Sequence, residues 1–351
     1  MAKKQSVVEV EGRQIKLSNL DKVLYPRARF TKGQVIDYYV KISPTLLPHL
    51  ARRPLTLKRY PQGVDGMFFY EKNCPKHRPE WINTAKVWSE GNKRFMYYCV
   101  VEEIAALVWL GNLADLELHT SLSRAPQLER PTVIAFDLDP GAPANIVQCC
   151  RVAFWVREIF ARFELQAFAK TSGSKGLQIY VPLNTAVTYD QTKPFARGIA
   201  RLLEERHPDL VVSDMKKSLR SNKVLVDWSQ NDVHKTTINV YSLRAKDRPT
   251  VSTPVSWQEV EQCLRQENPE LLVFTSDQVL ERVEKMGDLF APVLELKQKL
   301  PALDTLGIHA AEPALRRDAQ APPAAKKKGA SSARARRSAV AGPRKGKSGD
   351  V

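Results

Sequence analysis

The chain has 351 residues, 43% hydrophobic and 26% charged, a globular composition long enough for two or three domains' worth of core. Its net charge of +16 points to an anionic partner, nucleic acid ahead of a membrane surface. An odd number of cysteines, five, argues against a secreted disulfide framework, no apolar stretch follows Met1-Ala2-Lys3-Lys4-Gln5, and no run approaches the ~20 residues of a membrane span, so a cytoplasmic protein with no membrane partner is expected.

Residues 1–8 read as a flexible N-terminus and 9–16 as a short strand or hairpin turning at Glu11-Gly12. Thr31 is placed to cap a helix running through Val35, Ile36, Tyr38, Tyr39 and Ile42. Residues 55–72 read as two strands joined by the turn Pro61–Gly66, and because a strand alternates faces, at least one of Phe68, Phe69 and Tyr70 is expected in the core. A strand at 95–101 precedes an apolar helix at 102–114.

The second half alternates more regularly. A buried strand at 132–138 is followed by a long helix at about 145–163, with Val147, Val152, Phe154, Trp155, Ile159, Phe160 and Phe163 at helical spacing. The loop Thr171–Gly176 leads into a returning strand from Leu177 to Val181, then a helix at about 190–206 and strands at 223–228 and 237–242. The expected fold is α+β, a central mixed sheet flanked by helices. One domain over 9–311 is expected, in two parts, about 9–130 and about 131–311. From 312 the composition turns to Ala, Pro, Lys, Arg, Ser and Gly, a disordered basic tail. Within it, 319–351 carries nine Lys and Arg against one Asp, half the net charge of the whole chain.

Asp137 and Asp139 follow the apolar run Thr132–Phe136, and residues i and i+2 of a strand share a face. Carboxylates that close repel and need compensation, commonly a divalent metal, although a turn after a strand uses Asp-Pro as well. Asp227, at the end of Lys223–Trp228, completes a three-carboxylate set able to hold two cations about 3.5–4 Å apart for in-line phosphoryl transfer. The loop Ser172-Gly173-Ser174-Lys175-Gly176 offers small residues, hydroxyls and a lysine to an anion, or else is a tight hairpin turn; it is not a Walker A loop. Lys216-Lys217-Ser218-Leu219-Arg220, His234-Lys235 and Arg244 lie close to the third Asp in sequence and suit either a triphosphate clamp or a solvated basic face. Lys22, Lys32, Lys58 and Arg59 interleave with Tyr25, Phe68, Phe69 and Tyr70, a combination that suits single-stranded nucleic acid. His119 reads as a buried histidine, and Cys74-Pro75-Lys76-His77 as half a zinc site with no second half.

The ordered set Asp-Lys-Val-Leu-Tyr-Pro (21–26), Phe-Phe-Tyr-Glu-Lys-Asn (68–73), Leu-Glu-Leu-His (116–119), Phe-Asp-Leu-Asp-Pro (136–140), Thr-Ser-Gly-Ser-Lys-Gly-Leu (171–177), Val-Asp-Trp-Ser-Gln-Asn (226–231) and Tyr-Ser-Leu-Arg (241–244) resembles a known family. It is the polymerase domain of bacterial ATP-dependent DNA ligase D, in the archaeo-eukaryotic primase superfamily, and the resemblance covers about 9–300. The resemblance implies a primase-polymerase of non-homologous end joining or gap repair that prefers ribonucleotides and uses two divalent ions, manganese ahead of magnesium or cobalt. It implies metal binding by Asp137, Asp139 and Asp227, and triphosphate binding by Ser172, Lys175, Arg220, Gln230 and Arg244, with His119 near the nucleotide. Lys22 and Lys32 match a pocket for a downstream 5′-phosphate, Phe69 and Tyr70 match template contacts, and 89–96 falls at a mobile loop that aligns DNA ends. Two departures stand out. Gln178 replaces the family's usual His and can donate to phosphate without carrying charge, and the ligase nucleophile motif Lys-x-Asp-Gly is absent, so a stand-alone polymerase is expected to need a ligase in trans and to work with a Ku-like protein on the nucleoid. The competing reading is a non-catalytic module that binds DNA ends; a nuclease is disfavoured because it has no use for a triphosphate clamp.

Overall fold

A computed structural model describes residues 5–89 and 91–306; the basic tail and Met1–Lys4 lie outside the described residues. The chain opens with β1 (Gln5–Val10), β2 (Arg13–Ser18), β3 (Val23–Tyr25) and β4 (Phe30–Thr31). Helix α1 (Lys32–Leu50) leads to β5 (Leu55–Arg59), β6 (Phe69–Glu71), β7 (Thr84–Ser89) and β8 (Arg94–Cys99). After α2 (Ile104–Asn112) come β9 (Asp115–Thr120), β10 (Ser123–Arg124), β11 (Gln127–Pro131) and β12 (Val133–Pro140). The second half adds α3 (Ile146–Ala161), β13 (Phe168–Thr171), β14 (Leu177–Pro182), α4 (Tyr189–Arg206), β15 (Val211–Val212), β16 (Val224–Asp227) and β17 (Thr237–Ile238). It closes with β18 (Pro254–Val255), α5 (Trp257–Gln266), α6 (Ser276–Met286) and α7 (Pro292–Glu295).

Two sheets organise these elements into the expected mixed α/β fold. One runs β15-β16-β12-β14-β13-β18 and is antiparallel except for the β15–β16 pair. The other runs β17-β9-β5-β8-β7, with β6 added to β5. The apolar stripe of α3, including Val152, Val156 and Phe160, covers Phe136, Leu138 and Ile179 of the first sheet. Tyr38, Tyr39, Ile42 and Leu46 of α1 pack with Leu57, Leu116 and Leu118 of the second.

Local chemistry explains where the helices start. Thr31 Oγ1 accepts from the Gln34 amide at 3.3 Å while Gln34 Oε1 accepts from the Thr31 amide at 2.8 Å, a reciprocal capping box. Asn145 and Gln148 do the same for α3, each bond 2.8 Å where the donor is the Asn145 or Val147 amide. Without these side chains the first-turn N–H groups would have no partners.

Several expectations change. The N-terminus is ordered from Gln5, because β1 pairs along its whole length with β2. None of Phe68, Phe69 and Tyr70 is buried: β6 hydrogen-bonds only to β5, at the margin of the second sheet, and the three rings are 49%, 44% and 57% exposed. Cys74 is joined to Cys99 in a disulfide rather than forming half a zinc site. The strand expected at 237–242 shortens to Thr237–Ile238, and Ser89 and Arg94, expected in a loop, are the ends of β7 and β8.

Candidate active site

The two sheets meet at a cleft of about 460 Å³. Asp137, Asp139, Ser172, Lys175 and Gln178 line it from the first sheet and its β13–β14 loop, His119 and Tyr70 from the second, and Gln230 and Arg244 from connecting segments. Ser174, His234 and Lys235 line it too, so twelve of the residues singled out in the sequence share one cavity.

The carboxylates are brought together by register. Asp137 lies opposite Asp227 across the β12–β16 pair, and Asp139 is two residues along β12. All three therefore project from one face. Burial, then the Asp139 charge, pushes the Asp137 carboxyl up to about 7, with the Gln178 amide working against the rise. Burial, then Asp227, also raises Asp139, against Arg220, Arg244 and Lys175. Asp137 Oδ1 is buried without a hydrogen-bond partner. An orphaned carboxylate oxygen among carboxylates that resist joint ionisation is a donor set that fits a divalent cation. Among the described residues no three such side chains converge into a finished metal cage. Asp227 is held by its neighbours: its Oδ1 accepts from the Ser229 amide and hydroxyl at 2.8 and 2.6 Å, and its Oδ2 from Gln230 Nε2 at 3.0 Å. Gln230, expected on the triphosphate, thus holds Asp227 instead.

The β13–β14 loop is built for close approach. Gly173 adopts φ +67°, and a Cβ on Gly176 would stand 2.1 Å from the Leu138 carbonyl oxygen. Ser172 Oγ accepts from the Ser174 and Gly176 amides at 3.3 and 3.1 Å, so its oxygen shapes the loop. Lys175 is exposed beside the carboxylates. Arg244 donates to the Ser172 carbonyl at 2.6 Å, pinning the loop to the segment after β17. Arg220 donates to the Met215 carbonyl at 2.7 Å and lies within charge reach of Asp139.

Two residues that sequence reasoning passed over organise the remaining walls. Glu117, 1% exposed, accepts from Lys58 Nζ at 3.0 Å and His119 Nε2 at 3.0 Å and lies 3.4 Å from Arg244 Nε. Burial would raise its carboxyl, but His119, Arg244 and Lys58 hold it well below the usual range. The His119 bond is therefore N–H to carboxylate, and burial lowers the ring's pKa against the pull of Glu117. Lys58, expected on DNA, is bound internally and sits under Phe68, 4.7 Å from the ring centroid. Lys170 is the second, fully buried and bonded to Gln178 Oε1 at 2.5 Å. Gln178 is correspondingly 2% exposed, its amide spent on protein partners rather than held out for phosphate. The signal available was the motif Leu-Glu-Leu-His, whose Glu alternates with His on one strand face.

Lys22 and Lys32 form a separate basic pair. Lys32 Nζ bonds the Asn112 carbonyl and Oδ1 at 3.1 and 3.0 Å, and Lys22 Nζ bonds Gln62 Oε1 at 3.1 Å. Burial, then the Lys22 charge, lowers Lys32 to about 8.

Carboxylates on one sheet, a cationic glycine-bearing loop beside them and a second sheet across the cleft define a metal-dependent nucleotidyltransferase of the primase-polymerase class. The family model described as "LigD, primase-polymerase domain" matches residues 31–290, and the chain belongs to that family. It is 40% identical over 281 residues to the multifunctional non-homologous end joining protein LigD of Mycolicibacterium smegmatis, covering 80% of this chain and 36% of the relative. It is 31% identical over 274 residues to the bifunctional LigD of Bacillus subtilis, covering 78% of this chain and 43% of the relative. The chain thus spans well under half the length of these curated relatives. The solved polymerase domain of Mycobacterium tuberculosis ligase D in complex with DNA is similar with a TM-score of 0.75 and 38% identity, over 81% of this chain and 99% of that one.

Proposed function

We propose that this chain is a DNA-directed nucleotidyltransferase that extends primers, broken ends or short gaps, with ribonucleotides preferred, in bacterial end joining or gap repair. One observation carries the reading: Asp137 and Asp139 share a cleft with Lys175 and Arg244, so an acidic floor meets a cationic rim. That pairing suits a nucleoside triphosphate with divalent metal. The primer 3′-hydroxyl attacks the α-phosphate, and the bond to pyrophosphate breaks. Asp137, Asp139 and Asp227 would hold the metal, two manganese ions by preference, which would lower the hydroxyl pKa and neutralise the leaving phosphate. Lys175, Arg244 and Arg220 supply positive charge to the triphosphate, and Ser172 keeps the loop in shape for it.

DNA contacts follow the same logic. Lys22 and Lys32, paired and partly desolvated, suit a 5′-phosphate at the far side of a gap. Phe69 and Tyr70, exposed on β6, suit stacking against unpaired template bases. A Ku-like protein and a ligase acting in trans, on the bacterial nucleoid, complete the reading.

The test is extension of a gapped duplex with manganese, with and without a 5′-phosphate, comparing ribo- with deoxyribonucleotides. Product is expected with wild type, and none with Asp137→Ala although that variant still binds DNA. Extension by Asp137→Ala would sink the mechanism, and absence of product from wild type would favour a DNA-end-binding module.

A further inference from the structure

Lys170 lies on β13, beneath the cleft and 0% exposed. A lysine so buried needs its three N–H donors matched. Here they are: Nζ bonds Gln178 Oε1 at 2.5 Å, Ser252 Oγ at 2.7 Å and the Ile238 carbonyl at 3.1 Å. The last bond reaches the second sheet, so one ammonium ties together the two sheets that form the cleft.

The consequence for Gln178 is a matter of donor and acceptor. A carboxamide can face either way, but a protonated Lys170 only donates; burial works against its charge and Asp137 favours it, and with the charge in place the Gln178 oxygen faces Lys170. The NH2 group then turns the other way. It donates to Thr237 Oγ1 at 3.2 Å, and Gln178 stands directly opposite Asp137 in the β12–β14 register. Both Thr237 and Asp137 line the cleft.

We propose that Lys170 is a positioning residue, which locks the Gln178 carboxamide with its donors toward Asp137 and Thr237 and thereby orients the Asp137 carboxylate for its cation. A reversed amide would aim a carbonyl oxygen at a carboxylate. Lys170 touches neither nucleotide nor metal; it bonds Gln178, which stands opposite Asp137, and its charge also attracts the Asp137 carboxylate directly. Histidine at 178 would preserve the same polarity, one ring nitrogen accepting from Lys170 and the other N–H facing Asp137.

The inference deepens the polymerase reading and rests on it for the cation's role. Its test is therefore manganese binding by calorimetry, on the full chain without nucleotide or DNA, alongside kcat and KM for nucleotide. Gln178→His is expected to bind manganese within about threefold of wild type. Gln178→Met and Lys170→Met are expected to lose about tenfold or more, the range for a hydrogen bond to a charged group. The double variant Lys170→Met/Gln178→Met should lose less than the product of the two single losses, and kcat should fall more than KM rises. Wild-type affinity in Gln178→Met, or losses that multiply in the double variant, would overturn the proposal. If Lys170→Met fails to fold, the contrast between Gln178→His and Gln178→Met decides alone. A wild-type chain that keeps this pattern of affinities but extends no primer would remove the polymerase reading while supporting the positioning role.

Discussion

The carboxylate pair was legible at the level of single residues because the i, i+2 rule depends only on the chain being extended there, and β12 is extended. The role of Gln178 was not, because it depends on Lys170, eight residues away in sequence and adjacent only once β13 and β14 pair. Glu117 was hidden for a similar reason: a carboxylate between two leucines reads as a solvent-facing position of a strand, and only the closure of the second sheet over it buries it. Lys32 yields a pH prediction. Its ammonium, lowered to about 8, is charged below that pH and neutral above it. Preference for a 5′-phosphorylated gap should decline as pH rises through about 8, well before an ordinary lysine titrates, and Lys32→Arg should hold the preference to higher pH. Binding of gapped duplexes with and without the phosphate, followed from pH 7 to 9.5, measures this. The stability sign is the opposite: protonating a group whose folded pKa is depressed favours the unfolded chain, so this residue costs the fold stability as pH falls from the usual lysine value toward 8.

Among elements, those with strong local signals were read within a few residues: the capped helices α1 and α3, the apolar α2, and the β13–β14 hairpin. Short strands such as β7 and β15, and the C-terminal helices α5 and α6, were passed over, since pairing or packing partners distant in the chain define them. Alternation places at least one of Phe68, Phe69 and Tyr70 in the core, a rule that fails where a strand borders solvent on both faces. That exposure separates binding from folding. Phe69→Ala should leave thermal stability nearly unchanged and weaken single-stranded template affinity by about 1–3 kcal/mol, read by fluorescence anisotropy beside a melting curve. A large drop in melting temperature with unchanged affinity would mean the ring packs rather than stacks. The glycine loop behaves in the reverse way. In Gly176→Ala the new methyl meets the Leu138 carbonyl, a backbone atom that cannot swing aside. Chemical denaturation should record a loss of about 1–3 kcal/mol, and β12 should shift just where it carries Asp137 and Asp139.

For the molecule as a whole, residues 319–351 hold half of the +16 charge. Deleting them should weaken DNA binding and flatten its salt dependence, each lost phosphate contact lowering the slope of log affinity against log salt by about 0.9. An unchanged slope would assign that dependence to the rest of the chain.

Glu117 has a wider consequence. One carboxylate serves Lys58, beneath the aromatic strand proposed to face template, and Arg244, beside the loop proposed to receive triphosphate. Two ligands that each draw on a single buried anion are thermodynamically linked: whatever pulls Arg244 toward phosphate leaves Lys58 and its rings a stronger claim on Glu117. Nucleotide should therefore alter affinity for template, and template should alter affinity for nucleotide by the same factor. In Glu117→Gln that factor should move toward one while both ligands still bind. The enzyme would then have lost its means of sensing, before chemistry, that a base waits opposite the incoming nucleotide.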